Sequence, residues 1–99
     1  MIVNVISKPG LRKLVEMAQE AEKEALAWFK IARSAQWKSF AEVRQTFPDA
    51  DLFGNVLIFN LRHNRYRLIV RVSFRISTLW VKELLTHKEY DRGGWKKWA

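Results

Sequence analysis

Cysteine is absent from the 99 residues, which removes disulfides and thiol chemistry and makes a reducing cytoplasm the natural setting. Long apolar runs are absent too. No transmembrane segment is therefore expected, and the N-terminus lacks the apolar stretch of a signal peptide. Only two histidines occur, His63 and His87, too few and wrongly spaced for a metal site. No metal and no cofactor is expected. The chain also shows no repeat, low-complexity tract or linker. The most informative gap is in charge: no acidic residue occurs from Leu52 to Lys82.

What is present describes a folded globule. Apolar residues make up 48% and aromatic residues 13%, enough for one domain over residues 1–99. The formal charge is +8, unevenly spread. Residues 1–51 carry eight Lys/Arg against seven Asp/Glu; residues 52–99 carry ten against three. A pI near 10.2 with this asymmetry points to a polyanion, nucleic acid or an acidic partner.

The gap in acidic residues holds the most organised stretch. At a period of two, Tyr66, Leu68, Val70, Val72 and Phe74 share one face. Arg65, Arg67, Arg71 and Arg75 share the other, with Ile69 and Ser73 between them. This alternation predicts a strand with its back in a core and a guanidinium row in front. Around it the chain reads in order. Met1–Ile6 is a short β-branched strand. Leu11, Leu14, Val15 and Ala18 start a helical stripe that continues in phase through Ala21, Ala25, Trp28, Phe29 and Ala32. Residues 8–35 are either one long helix or a hairpin, and compactness favours the hairpin. Trp28 and Phe29 sit at core spacing. Ser39-Phe40-Ala41-Glu42 is a capping box opening a short helix. Strands follow at about 56–61, 65–74 and 79–85, joined by short polar turns and hence antiparallel. Thr86–Asp91 gives a turn of helix stopped by Gly93 and Gly94. The expected fold class is α+β, a mostly antiparallel sheet with helices packed on one face.

With helices on one face, the arginines must line the other, open to water. The last strand turns Trp80 and Lys82 toward them, although Glu83, in phase with the core, fits poorly. His87 and Tyr90 follow that strand. RNA cleavage through the ribose 2′-OH uses such a set: a base for the hydroxyl, an acid for the leaving 5′-oxygen, and cations for the phosphorane. His87 carries the only nearby side chain whose ordinary pKa lies near neutrality. Lys82 and Tyr90 would act once cation crowding lowers their pKa. Asp91 would orient a neighbour or cap the turn. Trp80 and Tyr90 offer stacking surfaces for bases. Trp95 and Trp98, with Lys96 and Lys97, form a terminal patch that packs on the body.

Phe59-Asn60, Asn64-Arg65-Tyr66-Arg67-Leu68-Ile69 and Thr86-His87-Lys88-Glu89-Tyr90-Asp91 together resemble the HigB toxins, a branch of the RelE-type bacterial toxins. The opening Ile6-Ser7 leading into a helix, Ala27-Trp28-Phe29, Trp37–Glu42 and Phe47–Asp51 match in order and spacing, so the resemblance runs from the first strand to Asp91. It implies a microbial-ribonuclease-like fold and a metal-independent endoribonuclease, or mRNA interferase, of a type II toxin–antitoxin system. Its substrate would be mRNA in the ribosomal A site, with contacts to 16S rRNA. A HigA-like helix-turn-helix antitoxin would neutralise it, and the toxin–antitoxin complex would bind operator DNA. The resemblance places Arg67 at the scissile phosphate, His87 and Tyr90 at the C-terminal catalytic positions and Lys82 as a basic residue of the last strand. Asn64, Arg65, Arg71, Arg75, Lys88 and His63 are then candidates for RNA binding. His63 stands where the family commonly has glycine. The competing reading is a non-catalytic RNA-binding module using the same basic face; a third is a basic subunit serving only an acidic partner.

Overall fold

A computed structural model describes residues 4–6, 19–35, 37–61 and 65–99. In chain order the elements are β1 (Asn4–Ile6), α1 (Gln19–Ser34), α2 (Phe40–Thr46), β2 (Asp51–Phe53), β3 (Val56–Leu61), β4 (Tyr66–Ser73), β5 (Thr78–Thr86), α3 (His87–Asp91) and a final 3₁₀ turn, Gly94–Trp98. The strands form one sheet in the order β1-β5-β4-β3-β2. The hairpins pair antiparallel, and β1 alone runs parallel, against β5. This is the expected α+β class, with β4 central because its two neighbours in sequence are also its neighbours in space.

β2 is a strand that periodicity missed. It is three exposed residues long, too short to show alternation. The available signal was Gly54-Asn55 between Phe53 and Val56, a two-residue hairpin turn. Phe53 pairs with Val56, and Gly54 sits at φ 58, a conformation glycine adopts without steric cost.

The helical reading holds for α1, which includes Gln19–Glu24, the junction proposed between two helices. Residues 7–18 lie outside the described residues, and with them the choice between one helix and a hairpin. Ser39 caps α2 by accepting from Glu42 N at 3.4 Å. The return bond of the box is shifted by one residue: Glu42 accepts from Lys38 N instead of Ser39 N.

One sheet face carries the main core. Leu57, Phe59 and Leu61 of β3, Leu68, Val70 and Val72 of β4, and Leu79, Val81 and Leu84 of β5 meet Ala25, Trp28 and Ala32 of α1 and Val43 of α2. Phe59 is the aromatic hub. Its ring lies 5.1 Å from Trp28, 5.2 Å from Phe47 and 6.2 Å from Trp37. Each such pair contributes about 0.5–1.5 kcal/mol beyond simple burial. The sheet face with the arginines therefore rests on a rigid base.

That second face is not simply open to water, as the one-sided layer implied. Val56, Ile58, Ile69 and Leu85 lie on it and are buried beneath Trp95, with Tyr90 and Trp98 packed alongside. The chain beyond β5 turns back over its own sheet to cover them. A register shift between Ile69 and Val70 lets two residues of β5 oppose one step of β4: Ile69 pairs with Glu83 and Val70 with Val81. This bulge resolves the misfit at Glu83. Beyond it the phase of β5 reverses, so Glu83 and Leu85 join the arginine face while Leu84 enters the main core.

Candidate active site

Strand register sets which side chains share the outer face. Arg67 pairs with Asn60 on β3 and Leu85 on β5; Arg71 pairs with Val56 and Trp80. Side chains directly opposite on an antiparallel pair point the same way, so Arg67, Arg71 and Trp80 lie together as expected. β5 ends beside the start of β4, where His87 N donates to Arg65 O at 3.2 Å.

There the chain changes from strand to helix by a full capping box. Thr86 accepts from Glu89 N, and Glu89 accepts from Thr86 N. This fixes the direction in which α3 departs and folds Tyr90 back onto Arg67, whose guanidinium carbon lies 5.2 Å from the Tyr90 ring centroid. The Tyr90 ring also stacks on Trp95, 5.1 Å between centroids and 5° from parallel, while Trp95 Nε1 donates to Tyr90 O at 2.9 Å. Phe53 of β2 closes on the edge of Trp95 at 5.4 Å. Tyr90 is thus held through ring and backbone together.

His87 precedes Tyr90 by three residues and so lies on the same side of the helix. Its Nδ1 is 2.9 Å from Asp91 Oδ2, with both side chains 60% exposed. A carboxylate only accepts, so this contact needs the proton on Nδ1, and in the neutral ring Nε2 becomes the acceptor. Asp91 therefore orients the imidazole.

The phenol corrects one expectation. Cation crowding was to lower the Tyr90 pKa; it is instead raised above the ordinary 10.0. Burial is the largest cause, followed by the carboxylate of Asp51; Arg67 partly opposes them and Asp91 adds to the rise. Desolvation and two anions outweigh the single facing guanidinium. Tyr90 is then an O–H donor at neutral pH, and a base only above 10.0. In a titration of phenolate absorbance, the wild type minus Tyr90→Phe difference should reach its midpoint above 10.0. Asp51→Asn should move that midpoint down; a wild-type midpoint at or below the ordinary value would contradict the assignment.

The remaining cations divide. Arg71 donates to Trp98 O at 3.0 Å, and Lys82 Nζ stands 4.7 Å from the Trp98 ring centroid. Trp98 Nε1 in turn donates to Glu83 Oε2 at 2.9 Å. Arg71 and Lys82 are therefore gathered by the C-terminal turn rather than by α3. Lys97 also lies over Trp98, and Lys96 over Phe53 and Trp95. Arg75 lies past the end of β4, while Lys88 and Arg65 are exposed near the start of α3. His63 and Asn64 fall outside the described residues. Sequence reading missed Asp51, Phe53 and the part played by Trp95. Only the paired carboxylate and aromatic flanking the Gly-Asn turn could have hinted at the first two.

A hairpin-rich sheet with α1 and α2 on one face and a basic second face, covered in part by the chain end, defines a class of fold. The archaeal RelE of the RelE–RelB complex from Pyrococcus horikoshii OT3 matches it with a TM-score of 0.59, at 17% identity, over 88% of this chain and 97% of that one. Residues 21–93 match the family described as HigB toxin, RelE-like toxic component of a toxin-antitoxin system. This chain belongs to the HigB toxin family. Among its relatives, the mRNA interferase toxin HigB of Escherichia coli (strain K12) is 25% identical over 92 residues, which is 90% of this chain and 88% of the relative. The mRNA interferase HigB of Shigella flexneri gives the same values.

Proposed function

We propose that the chain is a metal-independent, ribosome-dependent mRNA endonuclease, with its centre at Arg67, His87 and Tyr90. The observation that carries this reading is the Arg67–Tyr90 pair beside the Asp91-oriented imidazole. In this reading Arg67 supplies a cation, Tyr90 a neutral O–H donor and His87 a proton acceptor. The names of the relatives as mRNA interferases support it.

In the proposed reaction His87 Nε2 takes the proton of a ribose 2′-OH, and O2′ attacks the adjacent phosphorus. Arg67 donates to the non-bridging oxygens, whose charge grows in the phosphorane. As the P–O5′ bond breaks, Tyr90 gives its proton to O5′. The products are a 2′,3′-cyclic phosphate and a 5′-OH, and proton exchange with water restores both side chains. Because the Tyr90 pKa is raised and not lowered, the phenol is not available as a phenolate base at neutral pH; in this reading it is the acid and His87 the base. Lys82, Arg71, Arg65, Arg75 and Lys88 hold the RNA backbone or rRNA, with His63 and Asn64 as further contacts. The ribosome would place the A-site codon, and an antitoxin would cover this surface in the cytoplasm until released.

The test is expression of wild type and His87→Ala in translating cells, with mRNA 5′ ends mapped. Wild type should arrest growth and produce new 5′-OH ends. His87→Ala should lower the cleavage rate about 10²- to 10⁴-fold, the usual worth of a positioned acid or base. Cleavage undiminished in His87→Ala would remove the assigned base. RNA binding without cleavage by the wild type would leave the non-catalytic binding module.

A further inference from the structure

Past the C-terminal turn, at the β4–β5 connection, the outer face opens into a groove of about 420 Å³ lined by Asn55, Arg71, Ser73, Arg75, Ile76 and Trp80 among others. Among the described residues, no carboxylate lines it. Arg71 enters from the strand, with one guanidinium nitrogen engaged by Trp98 O and other N–H groups left to donate. Arg75 is exposed on the connection, beside an Ile76 that is 52% exposed. Trp80 is half-buried opposite Arg71. The connection is a four-residue loop, Phe74 to Ser77, closed by Ser77 N donating to Phe74 O at 3.2 Å. The opposite wall is the β2–β3 turn, tied down where Val72 N donates to Asn55 O at 2.8 Å. The groove is therefore bounded by two backbone-bonded turns.

We propose that this groove is a nucleotide subsite for single-stranded RNA. One base rests on Trp80 and Ile76, the flanking phosphates are held by Arg71 and Arg75, and the Asn55 amide is within the groove to meet a base edge. The inference rests on the reading of this face as an RNA surface and extends it beyond the reacting phosphodiester.

Two features favour RNA over an acidic protein segment. The groove joins guanidinium groups to an indole, and a nucleotide supplies both a phosphate and a planar base. A row of carboxylates would engage the arginines and leave Trp80 and Ile76 without a partner. The groove also continues the strand that carries Arg67. Arg71 lies four positions beyond Arg67, about 13 Å of extended chain, so a strand of RNA several nucleotides long spans both. Aromatic stacking accepts any base; the subsite would give affinity and direction, with sequence preference set elsewhere.

The experiment measures anisotropy of a 5′-labelled 12-nucleotide oligouridylate on the full chain in the His87→Ala background, with a polyglutamate peptide as competitor. Trp80→Ala should weaken RNA binding roughly tenfold, as stacking losses do, and Trp80→Phe should recover most of it. Arg75→Ala should make the dependence of log affinity on log salt shallower by about one phosphate contact. Thermal melting confirms that each variant is folded. Unchanged RNA affinity in folded Trp80→Ala overturns the subsite. So does polyglutamate that displaces RNA at equal charge and loses affinity equally in both variants, which assigns the groove to an acidic partner. Cleavage of mRNA by the wild type with no Trp80 effect removes this inference alone. Trp80-dependent binding by a wild type that does not cleave removes the nuclease reading and keeps the subsite.

Discussion

Arg67→Ala is expected to lower mRNA cleavage about 10²- to 10³-fold, the loss typical of one fixed donor to a developing oxyanion, and to relieve growth arrest while the chain stays folded. The residue sits where two conditions meet. Its β4 register places it between Asn60 and Leu85 on the outer face, and α3 returns Tyr90 to within 5.2 Å of its guanidinium carbon. Removing it takes away the phosphate donor. It also deletes the one influence that lowers the Tyr90 pKa, so the phenol should titrate higher still. That secondary shift separates loss of the site from loss of the fold, because a collapsed chain would return Tyr90 toward its ordinary value. Arg67→Lys should keep a point charge but lose forked donation, leaving activity between the two. Arrest by Arg67→Ala equal to wild type would displace Arg67 from the centre.

The second large effect concerns stability. Trp95 is 4% exposed and closes the second apolar cluster over Val56, Ile58, Ile69 and Leu85. Trp95→Ala should cost about 3–5 kcal/mol, the usual penalty for emptying a buried indole site. For a chain of this size a single kcal/mol moves Tm by roughly 4–8 °C, so the change is large in a thermal melt. Activity should fall as well, since Trp95 stacks on Tyr90 and donates to its carbonyl. Trp95→Phe should restore much of the stability, having kept a ring to cover the cluster. A melt shift corresponding to about 0.5 kcal/mol or less for Trp95→Ala, the range of ordinary surface substitutions, would show that the terminal turn is not part of the core. The turn is further tied to the body at Gly54: a Cβ built there would lie 3.0 Å from Ala99 Cβ. The β2 edge strand and its hairpin turn thus pack against the C-terminal turn.

Much of the fold was legible in the chain because alternation reports which face of a strand is buried. The β3 boundaries agree with the structure at both ends, and β4 and β5 agree within one residue. Trp28 and Phe29 take core and near-core positions, as helical spacing indicated. The failures share a cause. A three-residue strand has too few positions to show a period, and β2 was missed. A bulge adds one residue to one strand, so a strict period of two misplaced Glu83. Packing of the chain end depends on contacts between segments far apart in sequence, and Trp98 reaches Arg71 across 27 positions.

The candidate site divides in the same way. Its residue types, and the grouping of Arg67 with Tyr90, could be read from strand order and the Thr86–Asp91 turn. The direction of the Tyr90 pKa shift could not. Charge counting weighed the cations of the arginine face and passed over the adjacent Asp91, whereas Asp51 arrives from β2 and Trp95 stacks over the ring. The sequence by itself determined the amphipathic strand, its guanidinium row, the capped turn that follows and the HigB kinship, because each is a local pattern of adjacent residues. Only the tertiary structure decided that the basic face has an apolar floor, that Arg71 and Lys82 answer to Trp98, and that the Tyr90 pKa moves up rather than down. Those depend on desolvation and on charges brought together through space, which no local period records.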